Sequence, residues 1–167
     1  MQKAKGHYYS KQVAPSDLQG LIELLRRQGY SIATLNGSFD LLHAGHLYIL
    51  HEAAQQADRL LVALNNDASI KRYKGPHRPI ISLCYRLQMV AALECVDYVT
   101  WFEEDDPCAL LSSIRPDVHV NGAEYGDDCI EAETVRRYGG RLHLAARIPS
   151  LSTSEVVAAI SKCATIG

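Results

Sequence analysis

The sequence predicts an α/β fold in which a single doubly wound parallel sheet carries helices on both faces. Three observations predict it. Five short apolar runs read as strands, near 32–35, 60–64, 98–101, 118–120 and 142–145. Between and after them lie stretches of helical length, near 44–57, 83–94, 107–114, 130–138 and 153–163. No internal repeat, low-complexity stretch or linker interrupts the alternation. Strands alternating with helices build right-handed β-α-β units, which close into a Rossmann-like sandwich. The length agrees, because 167 residues make about one domain. A chain of that size buries roughly 70% of its unfolded surface and needs no disulfide or metal staple.

The elements are justified in order. The first dozen residues are polar and carry little signal. Ser16 and Gln19 stand at capping-box spacing, and Leu18, Leu21, Ile22, Leu24 and Leu25 follow at helical period until Gly29 stops the run. Residues 1–30 therefore read as an N-terminal extension with one helix, and residues 31–167 as the principal domain. Asp106-Pro107 places a cap residue before a proline at a helix start. Ser152 and Glu155 repeat the capping-box spacing ahead of Val156, Val157 and Ile160.

Charge and cysteine usage narrow the partners. Seventeen Lys+Arg against 19 Asp+Glu give a net charge of −2. A protein that coats nucleic acid or anionic lipid shows a basic excess, so neither partner is expected. The five cysteines are odd in number, widely spaced and form no C-x-x-C pair. With no apolar leader at the N-terminus and no apolar run long enough to span a bilayer, the expectation is a reduced cytoplasmic protein.

Ligands of an open parallel sheet bind beyond the carboxyl ends of its strands. There, after the first strand, stands NGSFDLLHAGH, residues 36–46. The G-x-G-x-x-G and G-x-x-x-x-G-K-[ST] fingerprints are both missing. Instead Gly37 makes a turn, and His43-x-Gly45-His46 opens a helix. A helix N-terminus offers free N–H groups and roughly half a positive charge, and Gly45 lets an anion approach the backbone. His43 and His46, three residues apart, share one helix face, and each imidazole can donate to a phosphoryl oxygen or add charge by protonation. Two other readings stay open: a pair of partly exposed polar residues, and a zinc site with His51 as third nitrogen, although H-E-x-x-H is absent.

The same string resembles the signature of the HxGH nucleotidyltransferase superfamily. Further blocks follow in order: LVALNNDAS (61–69), KRYKGPHRPI (71–80), the arginine within SLCYRLQMVAALECVDYV (82–99), RPDVHVNGAEY (115–125) and ARIPSLSTSEV (146–156). Together they are most similar to the branch that adenylylates D-glycero-β-D-manno-heptose 1-phosphate, which makes the ADP-heptose of the lipopolysaccharide inner core. The resemblance implies ATP and a phosphorylated sugar as substrates, Mg²⁺ as cofactor, and a homodimer, for which the apolar residues of helix 18–25 are a plausible contact.

It also implies roles. His43 and His46 would grip the triphosphate, with Lys74 and Arg147 closing over phosphates. Asn36, Gly37, Ser38, Phe39 and Gly45 would line the nucleotide pocket, and Arg86 would reach substrate or triphosphate. Ser152, Thr153 and Ser154 would meet phosphate at a helix N-terminus, Ser152 also capping that helix. Asn121, Gly122 and Glu124 would serve the base or sugar, and Asp40, ahead of Asp67, would hold Mg²⁺. Two departures stand out: Ser38 replaces a common cysteine, and Asn121-Gly122-Ala123-Glu124-Tyr125 replaces Lys-Gly-Gly-Asp-Tyr. They leave open a cytidylyltransferase acting on glycerol 3-phosphate or a related alcohol phosphate. A nucleotide-binding module without catalysis is the remaining alternative.

Overall fold

A computed structural model describes residues 7–146 and 152–164. Strands β1 (Ile32–Gly37), β2 (Arg59–Asn65), β3 (Tyr98–Phe102), β4 (Val118–Gly122) and β5 (Arg141–Ala145) form one parallel sheet in the order β3-β2-β1-β4-β5. Helices are α1 (Leu18–Arg27), α2 (Ala44–Ala54), α3 (Asp67–Lys74), α4 (Leu83–Ala91), α5 (Cys108–Ile114), α6 (Ile130–Arg137) and α7 (Thr153–Ala164). The doubly wound parallel sheet expected from the sequence is the fold observed.

Burial explains the two layers. On one face, Leu50 and Ala53 of α2 and Leu87 and Val90 of α4 meet Ala33, Leu35, Val62 and Val120 of the sheet. On the other, Leu18, Ile22 and Leu25 of α1 and Ile114 of α5 cover Ile32 and Leu61. Each such side chain, fully buried, contributes roughly 1.5–3 kcal/mol relative to exposure. The sheet's alternation therefore sorts its residues, because successive side chains of a strand point to opposite faces. One polar pair interrupts the second layer: Thr34 Oγ1 of β1 lies 2.8 Å from His119 Nδ1 of β4. Burial pushes the His119 pKa down to about 4, so the ring is neutral there.

The chain ahead of β1 packs onto this body. Lys11 Nζ donates to the Leu93 and Val96 carbonyls at 3.0 and 2.7 Å, and Val13 N donates to Val99 O at 2.9 Å. At the end of α1, Gly29 takes φ +79°, and Gly29 N and Tyr30 N donate back to Arg26 O and Leu25 O. That is the glycine stop expected there.

Three local expectations are corrected. Ser16 does not cap α1: Asp17 holds the N-cap position with helical dihedrals and no capping bond, and the Ser16 hydroxyl turns to the Asp17 carboxylate instead. The proline-led helix α5 begins one residue later, at Cys108, whose amide donates to Asp106 Oδ1 at 2.9 Å. Residues 67–74, absent from the expected helices, are helical, opened by Asn66 Oδ1 accepting from Ser69 N. Among the described residues no helix is long and apolar enough to cross a membrane.

The chain order reverses between β1 and β4, since α2 leaves β1 on one face while β4 is reached across the other. A crevice forms at the carboxyl end of such a switch point.

Candidate active site

A cavity of about 500 Å³ opens at that place. Its floor is the ends of three strands, with Asn36 and Gly37 of β1, Asn65 of β2 and Asn121 of β4. The turn after β1 brings in the histidines. Phe39 adopts φ 47°, a backbone conformation uncommon outside glycine, and is buried with its ring 5.2 Å from that of His46. Gly37 leaves room beneath it, because a Cβ there would stand 3.1 Å from Phe39 Cε2 and the ring would have to give by a few tenths of an ångström. His43 then sits at the N-cap of α2 with extended backbone, φ −143° and ψ 170°.

The two imidazoles stack at 3.9 Å between centroids. His46 Nδ1 accepts a long bond, 3.4 Å, from the His43 amide. A neutral ring that accepts at Nδ1 carries its proton on Nε2. Burial lowers the His46 pKa to about 4, helped by repulsion from His43 and Lys74. Burial also lowers that of His43, partly offset by Glu155 at the start of α7. In the free protein His46 is thus a neutral Nε2–H donor at pH 7, where the sequence had left room for a charged one. The cation beside the pair is Lys74, whose Nζ donates to Ser38 Oγ at 2.9 Å.

Behind this rim lies a frame of buried charge. Arg86 is fully buried. Its guanidinium donates to the carbonyls of Ile81, Ser38 and Asn65 at 2.9, 2.6 and 2.9 Å, and to Asp67 Oδ1 at 2.7 Å. It ties the β1 turn, the end of β2 and α3 to the head of α4. Asp40, also fully buried, accepts from Ile80 N, Ile81 N and Arg78 Nε at 2.8, 2.9 and 2.6 Å. Burial opposes its charge, but the Ile81 and Ile80 amides and Arg78 together outweigh that and hold its pKa below the ordinary carboxylate value.

Opposite the histidines the cavity closes with Asp105, Asp106 and Pro107 ahead of α5 and Ile130 and Glu131 at the start of α6. Tyr73, Glu124 and Tyr125 complete one side. Ser152, Thr153 and Ser154 line it at the N-terminus of α7, where Ser152 Oγ accepts from Glu155 N at 3.2 Å.

A model of the cytidylyltransferase-like family matches residues 34–161, from the first strand into the last helix. The chain belongs to that family. As a cytidylyltransferase-like chain it is 41% identical over 151 residues to the bifunctional protein HldE of Syntrophotalea carbinolica, covering 90% of this chain and 31% of that one. It is 47% identical over 137 residues to the bifunctional protein HldE of Alcanivorax borkumensis, covering 81% and 29%. The chain thus spans about three tenths of the length of the curated relatives it matches. A crystal structure described as the lipopolysaccharide core biosynthesis protein from Thermoplasma volcanium is similar with a TM-score of 0.58 at 28% identity, covering 72% of this chain and 98% of that one. The HxGH resemblance drawn from the motif blocks is therefore a family relationship.

This cytidylyltransferase-like site gathers most of the residues expected from sequence. Asn36, Gly37, Ser38, Phe39, His43, Gly45, His46, Lys74, Asn121, Glu124, Ser152, Thr153 and Ser154 all line one cavity. Gly122 sits at the end of β4, where an added Cβ would force the Glu124 carboxylate to move aside. Arg147 lies outside the described residues. Arg86 and Asp40 are corrections: both lie behind the lining, with their polar atoms turned to protein partners. Both Asp40 oxygens are taken by protein donors, so Asp40 does not fit the magnesium role expected of it, and Asp67 Oδ1 faces Arg86. Asp105 pairs with Arg72 at 2.6 Å and Asp106 caps α5. His51 lies along α2 outside the cavity lining, which leaves the three-histidine zinc alternative without its third ligand. The sequence missed Asn65, Tyr73, Asp105 and Glu131, since no motif joins side chains from four separate elements.

Proposed function

We propose that this domain transfers AMP from ATP to D-glycero-β-D-manno-heptose 1-phosphate, releasing pyrophosphate and giving ADP-heptose for lipopolysaccharide core synthesis. One observation carries the reading: the stacked His43–His46 pair, Lys74 and the N-terminus of α7 face one cavity at the sheet's switch point. That arrangement suits a chain of phosphates. The names of the HldE relatives and of the lipopolysaccharide core neighbour support the sugar acceptor, as do the motif blocks that follow the histidines.

In this mechanism an oxygen of the sugar phosphate attacks the α-phosphorus of ATP in line. A new P–O bond forms as the bond to the bridging oxygen of the β-phosphorus breaks, and pyrophosphate leaves with that electron pair. The acceptor oxygen is already ionised near neutral pH, so no strong general base is needed. His46 donates Nε2–H to the charge that grows on the α-phosphoryl oxygens, while Lys74, the α7 amides and the Ser152, Thr153 and Ser154 hydroxyls hold the phosphates. Such donors act mainly by position and electrostatics. No cysteine lines the described cavity, which agrees with direct transfer.

The family's description and the altered loop at 121–125 favour one second reading, cytidylyl transfer to an alcohol phosphate. Supplying ATP, CTP, GTP and UTP in turn with heptose 1-phosphate, and measuring pyrophosphate, separates the two. Release with ATP is expected. Release with CTP alone overturns the adenylyl assignment, and nucleotide binding without release makes the domain a binding module.

A further inference from the structure

The cavity's two walls differ in sign. His43, His46 and Lys74 stand on the α2 side, whereas Asp105, Asp106 and Glu131 stand on the α5–α6 side. Two of the three acids have structural work, Asp105 with Arg72 and Asp106 at the α5 cap. Glu131 differs. It is only 7% exposed, yet it lines the cavity from the first turn of α6. Its neighbours are the Asn121 amide, 3.4 Å from Oε2, and the Cys129 thiol. A largely buried carboxylate is costly unless donors meet it, and the described hydrogen bonds give Glu131 one long amide bond, at Oε2, which leaves Oε1 for a donor in the cavity.

We infer that Glu131, with Asn121 beside it, binds the hydroxyl groups of the acceptor sugar and sets which sugar phosphate is accepted. This rests on the nucleotidyl transfer proposed above. In an in-line displacement the incoming oxygen and the departing pyrophosphate lie on opposite sides of the α-phosphorus. Pyrophosphate, the more highly charged partner, takes the wall with the histidines, Lys74 and the α7 N-terminus. The body of the acceptor then extends toward the opposite wall. A carboxylate there repels phosphate and attracts the O–H donors of a neutral polyol. Adjacent hydroxyls satisfy both its oxygens, while the Asn121 side chain can accept from one hydroxyl and donate to another.

The full chain, Glu131→Gln and Glu131→Ala test this by calorimetric titration with heptose 1-phosphate, alongside separate KM values for ATP and for the acceptor. Each variant is expected to weaken sugar-phosphate binding about 10-fold or more, the loss typical of a hydrogen bond to a charged group. The KM for ATP and the melting temperature of Glu131→Gln should hold. A sugar 1-phosphate lacking the contacted hydroxyl should bind the wild type more weakly, yet bind Glu131→Gln little differently from the full sugar. Unchanged sugar-phosphate affinity in both variants overturns the inference. A raised KM for ATP with unchanged acceptor affinity also overturns it, assigning Glu131 to the nucleotide. Wild-type protein that binds the sugar phosphate without releasing pyrophosphate sinks the proposed reaction alone, and absence of binding sinks both.

Discussion

His46→Ala is expected to lower kcat by about 10²–10³, the loss seen when one preorganised donor to a developing oxyanion is removed, with the fold intact. The side chain's own contacts explain both halves of that expectation. It stacks on His43 and Phe39, which remain in place, and its one described hydrogen bond is the 3.4 Å contact from the His43 amide. What the variant loses is Nε2–H. That proton is present in the neutral ring, and burial keeps the ring neutral down to a pKa of about 4. Nuclear magnetic resonance of the free protein should show no protonation of His46 between pH 8 and 5, and a charged ring only as pH falls through the value near 4. An inflection near the ordinary histidine value would show that burial does not govern this ring. Near-normal pyrophosphate release by His46→Ala would remove it from the chemistry.

Arg86→Met is expected to destabilise the protein by about 3–5 kcal/mol, since three carbonyls lose a charged donor at roughly 1–3 kcal/mol each, less what water recovers. For a chain of this size that lowers Tm by on the order of 10 °C. Methionine keeps much of the volume but none of the donors. The Ser38, Asn65 and Ile81 carbonyls then lose a donor, and Asp67, which is partly exposed, loses its cation. The turn carrying Ser38 and Phe39 is held by this residue, so activity should fall with stability rather than apart from it. Arg86→Lys should recover only part of the loss, because one ammonium cannot span acceptors that a planar guanidinium reaches together. Wild-type Tm with a raised KM for ATP would instead make Arg86 a ligand of the triphosphate, as its motif position had implied.

The histidine side of the cavity was legible in the sequence because it is local. A strand end, a glycine turn and a helix start lie within residues 36–46, and the helix geometry alone puts His43 and His46 on one face. The sheet was equally readable, since its strands are nearly unbroken apolar runs, and each runs only one or two residues beyond the expected bounds, as at Asn36 and Gly37 of β1 and Arg59 and Asn65 of β2. Asp40 and Arg86 show where legibility stops. Residue type gives a charge but not its partner, and here the partners are backbone groups and charges up to about fifty positions away. Helix α3 was hidden for a related reason: only Ser69 and Ile70 are buried in it, so it has no apolar stripe to read. The acidic wall, assembled from the loop ahead of α5 and the first turn of α6, has no linear signature at all.

Phosphorus NMR of the full chain with ATP, MgCl₂ and D-glycero-β-D-manno-heptose 1-phosphate tests the central claim most directly. The account predicts that ATP signals give way to pyrophosphate and a sugar–nucleotide diphosphate diester in equal amounts. Hydrolysis of ATP without the diester, or a spectrum that does not change, would contradict it.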